Sequence, residues 1–336
     1  MKLICSQKTD EEFYKVLNET DGIKTGTKEA YIYSLKRITK ITDKSLCDSL
    51  RTPKETYKKL AATLQRSTLN TTVSSVLAVL KHTGEKHKNK KLFDVWYEVC
   101  LPLFQEVKRV RLSNEPTERQ KETQVTWEEV GEMYEKLKKE EYGSKAHLRL
   151  SFYYLLKPRR QADYHRIRVL TRKEDVETDS MDSLIDLRVK EPFIEVREYK
   201  TSKWHKVWKK TLNPEHVALI KWNIEKTPRT YMFEMRDGSA YSAPNSYTRD
   251  TNRILNKIWN KPVTVNSLRH SYSTHRNNDR SLSLGDRLED AKDMGQSLGT
   301  HLAYVLRTAK DGKKPSAKFI MKKKGKTFVC TEVKSV

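Results

Sequence analysis

"VNSLRHSYSTH" (Val265–His275) sets Arg269 between Leu268 and His270 on a half-apolar segment whose pattern predicts a helix over about 267–278. Arginine keeps its charge at any accessible pH and resists burial. The chain has 67 Lys and Arg, most of which can sit in water, so a guanidinium placed here implies a charge held for a purpose. Its planar fork grips a phosphate bidentately. The two histidines of the segment, His270 and His275, are five residues apart, a spacing that does not bring both onto one helical face for a metal.

The rest of the composition points the same way. The 67 basic residues face 44 acidic ones, a formal net charge of +23. A surplus of that size calls for a polyanionic partner, most commonly nucleic acid. The 336 residues allow two ordinary domains or one large one. Mean hydropathy is low at −0.81, yet the apolar residues are clustered and periodic, so packed cores are expected. Cys5, Cys47, Cys100 and Cys330 form no CxxC pair and are too scattered for a disulfide framework, which fits a reduced, intracellular setting. No apolar run approaches the ~18 residues of a membrane span. The N-terminus "MKLICSQKTDEEF" is too poor in apolar residues for a secretory signal.

Working outward along the chain, the first third reads as five helices ending near 112. "TPKE" has Thr52 as N-cap, Pro53 at the first helical position and Glu55 to complete a capping box. Val73, Val76, Leu77 and Leu80 fall at helical spacing, as do Tyr31, Leu35 and Ile38. Phe93, Trp96, Cys100, Phe104 and Val107 stripe a long helix with a kink expected at Pro102. "SNEPTERQKETQ" (113–124) is polar and aperiodic, and reads as a linker. "TWEE" opens a new helix with Thr126 as cap and Glu129 at its third position, striped by Val130, Met133, Tyr134 and Leu137. An apolar helix, "HLRLSFYYLL", follows and stops at Pro158. "PFIEVREYK" and "HKVWKKTLN" alternate as a hairpin rich in lysine, at 200, 203, 206, 209 and 210. Helices are expected again at about 214–225, 245–259 and 286–309, before a basic tail, 311–336.

Several chemistries lack their signatures. There is no GxxxxGK[ST] or GxGxxG to cradle a nucleotide, no HExxH, no CxxC pair, and no tight carboxylate cluster for a two-metal nuclease. Phosphodiester chemistry in this chain would fall to arginine, lysine and a protein nucleophile, with no metal and no cofactor.

"SLRHSYSTH" resembles the second arginine box of the tyrosine recombinases, the phage-type integrases. "KPRRQADYHRIRV" (157–169) resembles their first arginine box, in which an arginine precedes an acid by three residues; that spacing selects Arg160, with Asp163. "YKTSKWHKV" resembles the hairpin carrying an active-site lysine, matched best by Lys200. "MGQSLGTHLAYVLRT" (294–308) resembles the last box, a Met-Gly pair leading to the nucleophile, where Tyr304 is the last tyrosine of the chain. These boxes occur in the family's order, and the "PRRQADY" form is similar to recombinases of eukaryotic mobile elements and large DNA viruses.

The resemblance implies a mainly α fold with a small β-sheet: a helical core-binding domain (1–112), the linker (113–124), a mixed α/β catalytic domain (125–310) and a tail (311–336) that docks on a neighbouring protomer. It implies a DNA recombinase or integrase in which Tyr304 forms a 3′-phosphotyrosyl bond, Arg160 and Arg269 hold the nonbridging oxygens, and Lys200 protonates the leaving oxygen. Lys203, Lys206, Lys209 and Lys210 are the expected DNA contacts. Double-stranded DNA is the implied partner, with four protomers on two duplexes, inside the cell where DNA is, with neither membrane nor nucleotide. Two positions depart from the pattern. Asn266 stands where the family has a histidine three before the second arginine, and Gln296 where it has a histidine or tryptophan after the glycine of the last box. Neither amide relays a proton at neutral pH. His270 and His301 are the imidazoles that remain, and adjacency to Arg269 turns His270 about 100° away around the helix. Other outcomes are a weakened or inactive DNA-binding protein of the same fold, a type IB topoisomerase or telomere resolvase, and a metal-dependent nuclease.

Overall fold

The computed structural model describes residues 9–82, 90–172, 182–202, 206–235 and 237–306, together with the backbone of 318–324 and 327–333. The chain divides into two compact units, Met1–Ser113 and Asn114–Val336.

The described part of the first unit is helical: α1 (Asp10–Glu19), α2 (Thr25–Thr42), α3 (Leu46–Arg51), α4 (Pro53–Thr63), α5 (Arg66–His82) and α6 (Lys90–Ser113). That is one helix more than the sequence pattern suggests. Leu35, Ile38, Val73, Val76, Leu80 and Trp96 are buried in one core, and the Trp96 indole N–H is satisfied by the Leu50 carbonyl at 2.9 Å. α4 starts at Pro53 with Thr52 as N-cap, as expected, but without a side-chain cap. Glu55 reaches Lys44 at 2.9 Å instead, and Thr52 donates to the Asp48 carbonyl. α6 runs on through Pro102. Cys47 is disulfide-bonded, contrary to the expectation of reduced thiols; among the described residues Cys100 is free and buried.

The second unit opens with a short helix inside the expected linker, α7 (Glu118–Thr123), closed by a capping box between Thr117 and Gln120. "TERQ" is itself a capping-box signature. α8 (Trp127–Glu140) carries the Thr126–Glu129 box read from the sequence, and α9 (Lys145–Tyr154) ends ahead of Pro158. A 3₁₀ turn (Gln161–Asp163) leads to β1 (Ile167–Leu170), β2 (Ser183–Asp186), β3 (Phe193–Val196) and β4 (Trp208–Thr211). They form one sheet in the order β1-β2-β3-β4, with β1 parallel to β2 and the others antiparallel. The β3–β4 pair is the expected hairpin; β1 and β2 are buried almost throughout and so lack the alternation that marks it.

α10 (Pro214–Lys226), α11 (Pro244–Trp259) and α12 (Val265–Asn278) match the expected helices closely. The single helix expected over 286–309 is two, α13 (Leu284–Asp293) and α14 (Leu298–Ala303). Gly295 lies between them at φ +64°, where a Cβ would come within 2.8 Å of the Arg159 guanidinium. Only glycine takes that left-handed turn and that approach together. The tail contains a two-stranded antiparallel pair, β5 (Lys318–Lys324) and β6 (Thr327–Val333).

Candidate active site

The break after α13 is where the site is built. The last carbonyls of a helix have no partner within it. Here Asp293 O, the last of α13, and the two carbonyls after it each take a guanidinium: Asp293 O from Arg159 (2.6 Å), Met294 O from Arg269 (3.1 Å) and Gly295 O from Arg160 (2.6 Å). The Thr201 hydroxyl adds a second donor to Gly295 O at 2.9 Å. The negative end of the α13 dipole thus faces three cations, which come from the Pro158–Asp163 loop and from α12.

Arg269 is 2% exposed. Besides Met294 O, it donates to Pro158 O at 2.7 Å and to Gln296 Oε1 at 2.6 Å. Its Nε–H has no partner among the described residues. Burial pulls its pKa below the usual arginine range; attraction to Tyr304 opposes this, and repulsion from Arg160 adds to it. Arg160 is half-buried and close enough to repel Arg269, yet neither makes an ion pair with a carboxylate among the described residues. Asp163 attracts both at longer range, but its hydrogen bond goes to Arg159, so the two adjacent cations remain available to an anion.

Asp163 differs from its sequence reading. Its Oδ2 accepts from Arg159 Nε at 3.0 Å, so the acid orients Arg159 and leaves Arg160 unpaired. Arg159 is fully buried, its guanidinium over the rings of Tyr199 (4.7 Å) and Trp208 (4.4 Å). Asp293 anchors the other side of the loop. It receives Trp208 Nε1 at 3.1 Å, Lys157 at 3.0 Å and Lys210 at 3.1 Å. Burial would raise its pKa, but these hydrogen bonds outweigh burial and hold the carboxyl below the usual range.

Tyr304 caps the end of α14 and is half-exposed. Its ring lies 5.0 Å from the Arg269 guanidinium carbon and 4.6 Å from the His270 ring. His270 is therefore not carried away from Tyr304 by its 100° offset from Arg269: Tyr304 arrives from another helix and meets both. His270 Nδ1 sits 2.7 Å from the Tyr304 carbonyl. Burial lowers the His270 pKa, as does Arg269, while that hydrogen bond raises it. His301 is fully buried; Gln296 Nε2 and Ser273 lie 3.2 and 3.3 Å from its Nδ1. Burial lowers its pKa to about 4, so it is neutral at pH 7. Gln296, 2% exposed, links Arg269 to His301. Asn266 is exposed and lines a cavity of about 310 Å³. Tyr272 donates to Asp290 at 2.8 Å, and burial pushes its phenol up, which suits a structural tyrosine.

Lys200 is exposed on the turn between Tyr199 and Thr201, both of which touch the arginine cluster. Lys206 and Lys209 are exposed; Lys209 Nζ stands 3.4 Å above the Phe193 ring. Lys210 is committed to Asp293. Lys203 lies outside the described residues. Arg159, Thr201 and Gln120 were missed as site residues, because each acts through a carbonyl or side chain remote in sequence.

No protein-family model matches the sequence, and no curated protein matches it. Among solved structures, the chain is similar to the Tn1549 transposon integrase in complex with circular intermediate DNA, at 15% identity and a TM-score of 0.53, covering 89% of this chain and 96% of that one. A variant of that integrase in complex with transposon right end DNA is similar at 16% identity and a TM-score of 0.54, covering 89% and 95%. XerA recombinase aligns at 15% identity and a TM-score of 0.39, covering 89% and 95%. The chain shares the fold of the Tn1549 transposon integrase, mainly helical with a small four-stranded sheet.

Proposed function

We infer that the chain is a site-specific DNA recombinase that breaks and rejoins duplex DNA through a 3′-phosphotyrosyl intermediate. The observation that carries this reading is the pair of adjacent guanidiniums, Arg160 and Arg269, neither in an ion pair among the described residues and with the Tyr304 ring 5.0 Å from one of them. In the proposed reaction the Tyr304 phenol gives its proton to water and its Oη attacks the scissile phosphorus in line. The phosphorus–O5′ bond breaks as the tyrosyl bond forms, and the 5′-oxygen leaves with a proton from Lys200. Arg160 and Arg269 stabilise the charge on the nonbridging oxygens. The tyrosyl bond conserves the phosphodiester energy, so a 5′-hydroxyl from another strand reverses the step without ATP. The net charge of +23 supports duplex DNA as substrate, and a tetramer on two duplexes is the proposed assembly. The first unit would serve as core-binding domain and the second as catalytic domain. A mobile element or large DNA virus is the source that "PRRQADY" suggests.

The test is covalent trapping on a nicked suicide substrate in the presence of chelator. A protein–DNA adduct that is lost in Tyr304→Phe, with DNA affinity retained, is the expected result. DNA binding without an adduct would instead support an inactive binder of this fold, the reading favoured by the exposed amide of Asn266 and by a Gln296 fully engaged with Arg269 and His301.

A further inference from the structure

We propose that Gln120, on the short helix α7, is a positioning residue for Tyr304, acting through the tautomer of His270. The inference rests on the reading of Tyr304 as the nucleophile.

The chain of contacts has a defined chemical sense. Gln120 lies 3.3 Å from His270 Nε2, and His270 Nδ1 lies 2.7 Å from the Tyr304 carbonyl. A carbonyl only accepts, so Nδ1 carries the proton. A neutral imidazole then has a lone pair on Nε2 and needs a donor there. Gln120 supplies it. Its Oε1 is fixed by the Thr117 backbone N–H at 2.9 Å and the Thr117 hydroxyl at 3.0 Å, so the amide nitrogen must face the ring. The side chain thus closes the α7 capping box with its oxygen and sets the histidine tautomer with its nitrogen. Glutamate suits the third position of a capping box equally well, but it has no proton to give. The tautomer matters because the Tyr304 ring packs 4.6 Å from the same imidazole. The ring and the carbonyl of Tyr304 both meet His270, and Arg269 packs on the same ring, so the two together aim the phenol.

The groups facing His270 are few. Arg269 is its neighbour on α12, and Tyr304 lies across the ring. The cavity it borders, about 310 Å³, is also lined by Arg119, Gln120, Asn266 and Leu306. No carboxylate lines that cavity among the described residues, and burial with Arg269 favours the neutral imidazole.

The decisive variant is Gln120→Glu in the full chain, which keeps the capping acceptor and hence α7. The introduced carboxylate accepts from Nε2–H. Below the raised pKa of His270, the imidazolium serves both partners and Tyr304 stays in place. Above it, the neutral ring keeps its proton on Nε2 and turns a lone pair on the Tyr304 carbonyl. Long-range ¹H–¹⁵N spectra, with His270 assigned through His270→Asn, should show the Nδ1–H tautomer in wild type and its replacement in Gln120→Glu. The single-turnover adduct rate of Gln120→Glu, measured at saturating DNA, should gain a descending alkaline limb absent from wild type. Gln120→Met, without a donor, should slow adduct formation roughly 3- to 10-fold, as the loss of one hydrogen bond predicts. An active wild type with the same tautomer and pH profile in Gln120→Glu overturns the inference alone. A wild type that forms no adduct overturns the reading beneath it, whatever the spectra show.

Discussion

The guanidinium carbon of Arg269 sits 5.0 Å from the centre of the Tyr304 ring, while the same guanidinium donates to Pro158 O, Met294 O and Gln296 Oε1. One buried cation thus ties the first arginine loop, the turn after α13 and the candidate nucleophile together. Among the described residues Arg160 makes a single bond of this kind, to Gly295 O.

The two arginines should therefore separate in mutagenesis. Arg160→Ala should slow adduct formation at least ~10²-fold, the usual loss for one preorganised charge stabiliser, with a melting temperature close to wild type. Arg269→Ala should abolish the adduct and also destabilise the second unit, by on the order of 3 kcal/mol, because buried carbonyls lose their donor. Single-turnover rates and denaturant unfolding decide. Normal unfolding of Arg269→Ala would contradict the network.

Salt dependence should sort the lysines. Lys206 and Lys209 are exposed, whereas Lys210 is held by Asp293. If the hairpin contacts DNA, Lys206→Ala and Lys209→Ala should each reduce the slope of log K against log[salt] by roughly 0.9. Lys210→Ala should lower stability and leave the slope nearly unchanged. Equal slope changes for all three would mean that Lys210 leaves Asp293 to meet DNA.

Acid should loosen the site. Asp290 and Asp293 are buried, and despite burial their lysine, arginine, tyrosine and tryptophan donors hold both carboxyls below the usual range. A depressed folded pKa contributes stability above the unfolded value near ~4, which is lost as pH falls through the folded one. Asp293→Asn should cost on the order of 2 kcal/mol at pH 7, less than a fully buried pair because Lys157 and Lys210 are partly exposed. The gap between wild type and variant should close as pH falls below the unfolded value and through the depressed folded one. A gap that is constant with pH would show that the carboxylate charge is not what stabilises the loop.

The pH–rate profile should show no inflection at the ordinary histidine pKa of about 6.5. His301 is held at about 4 by burial, and burial and Arg269 also lower His270. The adduct rate should rise toward alkaline pH in wild type and in His301→Gln alike. Asn266→His, which adds an imidazole at the exposed wall of the cavity, should raise the rate near neutrality. Gln296→His should lower it, since Gln296 Oε1 holds Arg269 at 2.6 Å. An inflection near 6.5 that vanishes in His301→Gln would refute the buried, neutral state of that ring.

The sequence by itself determined what is local. The stripes Val73–Leu80 and Val130–Leu137, the Thr126 cap and the β3–β4 hairpin follow from periodicity and spacing, because a helix or hairpin buries its own face whatever it packs against; the arginine boxes were legible only through the family resemblance. Tertiary structure alone decided which arginine Asp163 would take, that α13 and α14 would part at Gly295, that Lys210 would turn inward, and that His270 and Arg269 would meet on one tyrosine. Each of these depends on contacts between residues far apart in the chain: Arg159 with Asp293, Arg160 with Gly295, Gln120 with His270. A spacing rule sees which side chains share a helix face. It does not see the orphan carbonyls that another helix presents when it ends, and those carbonyls are what fix the three guanidiniums here.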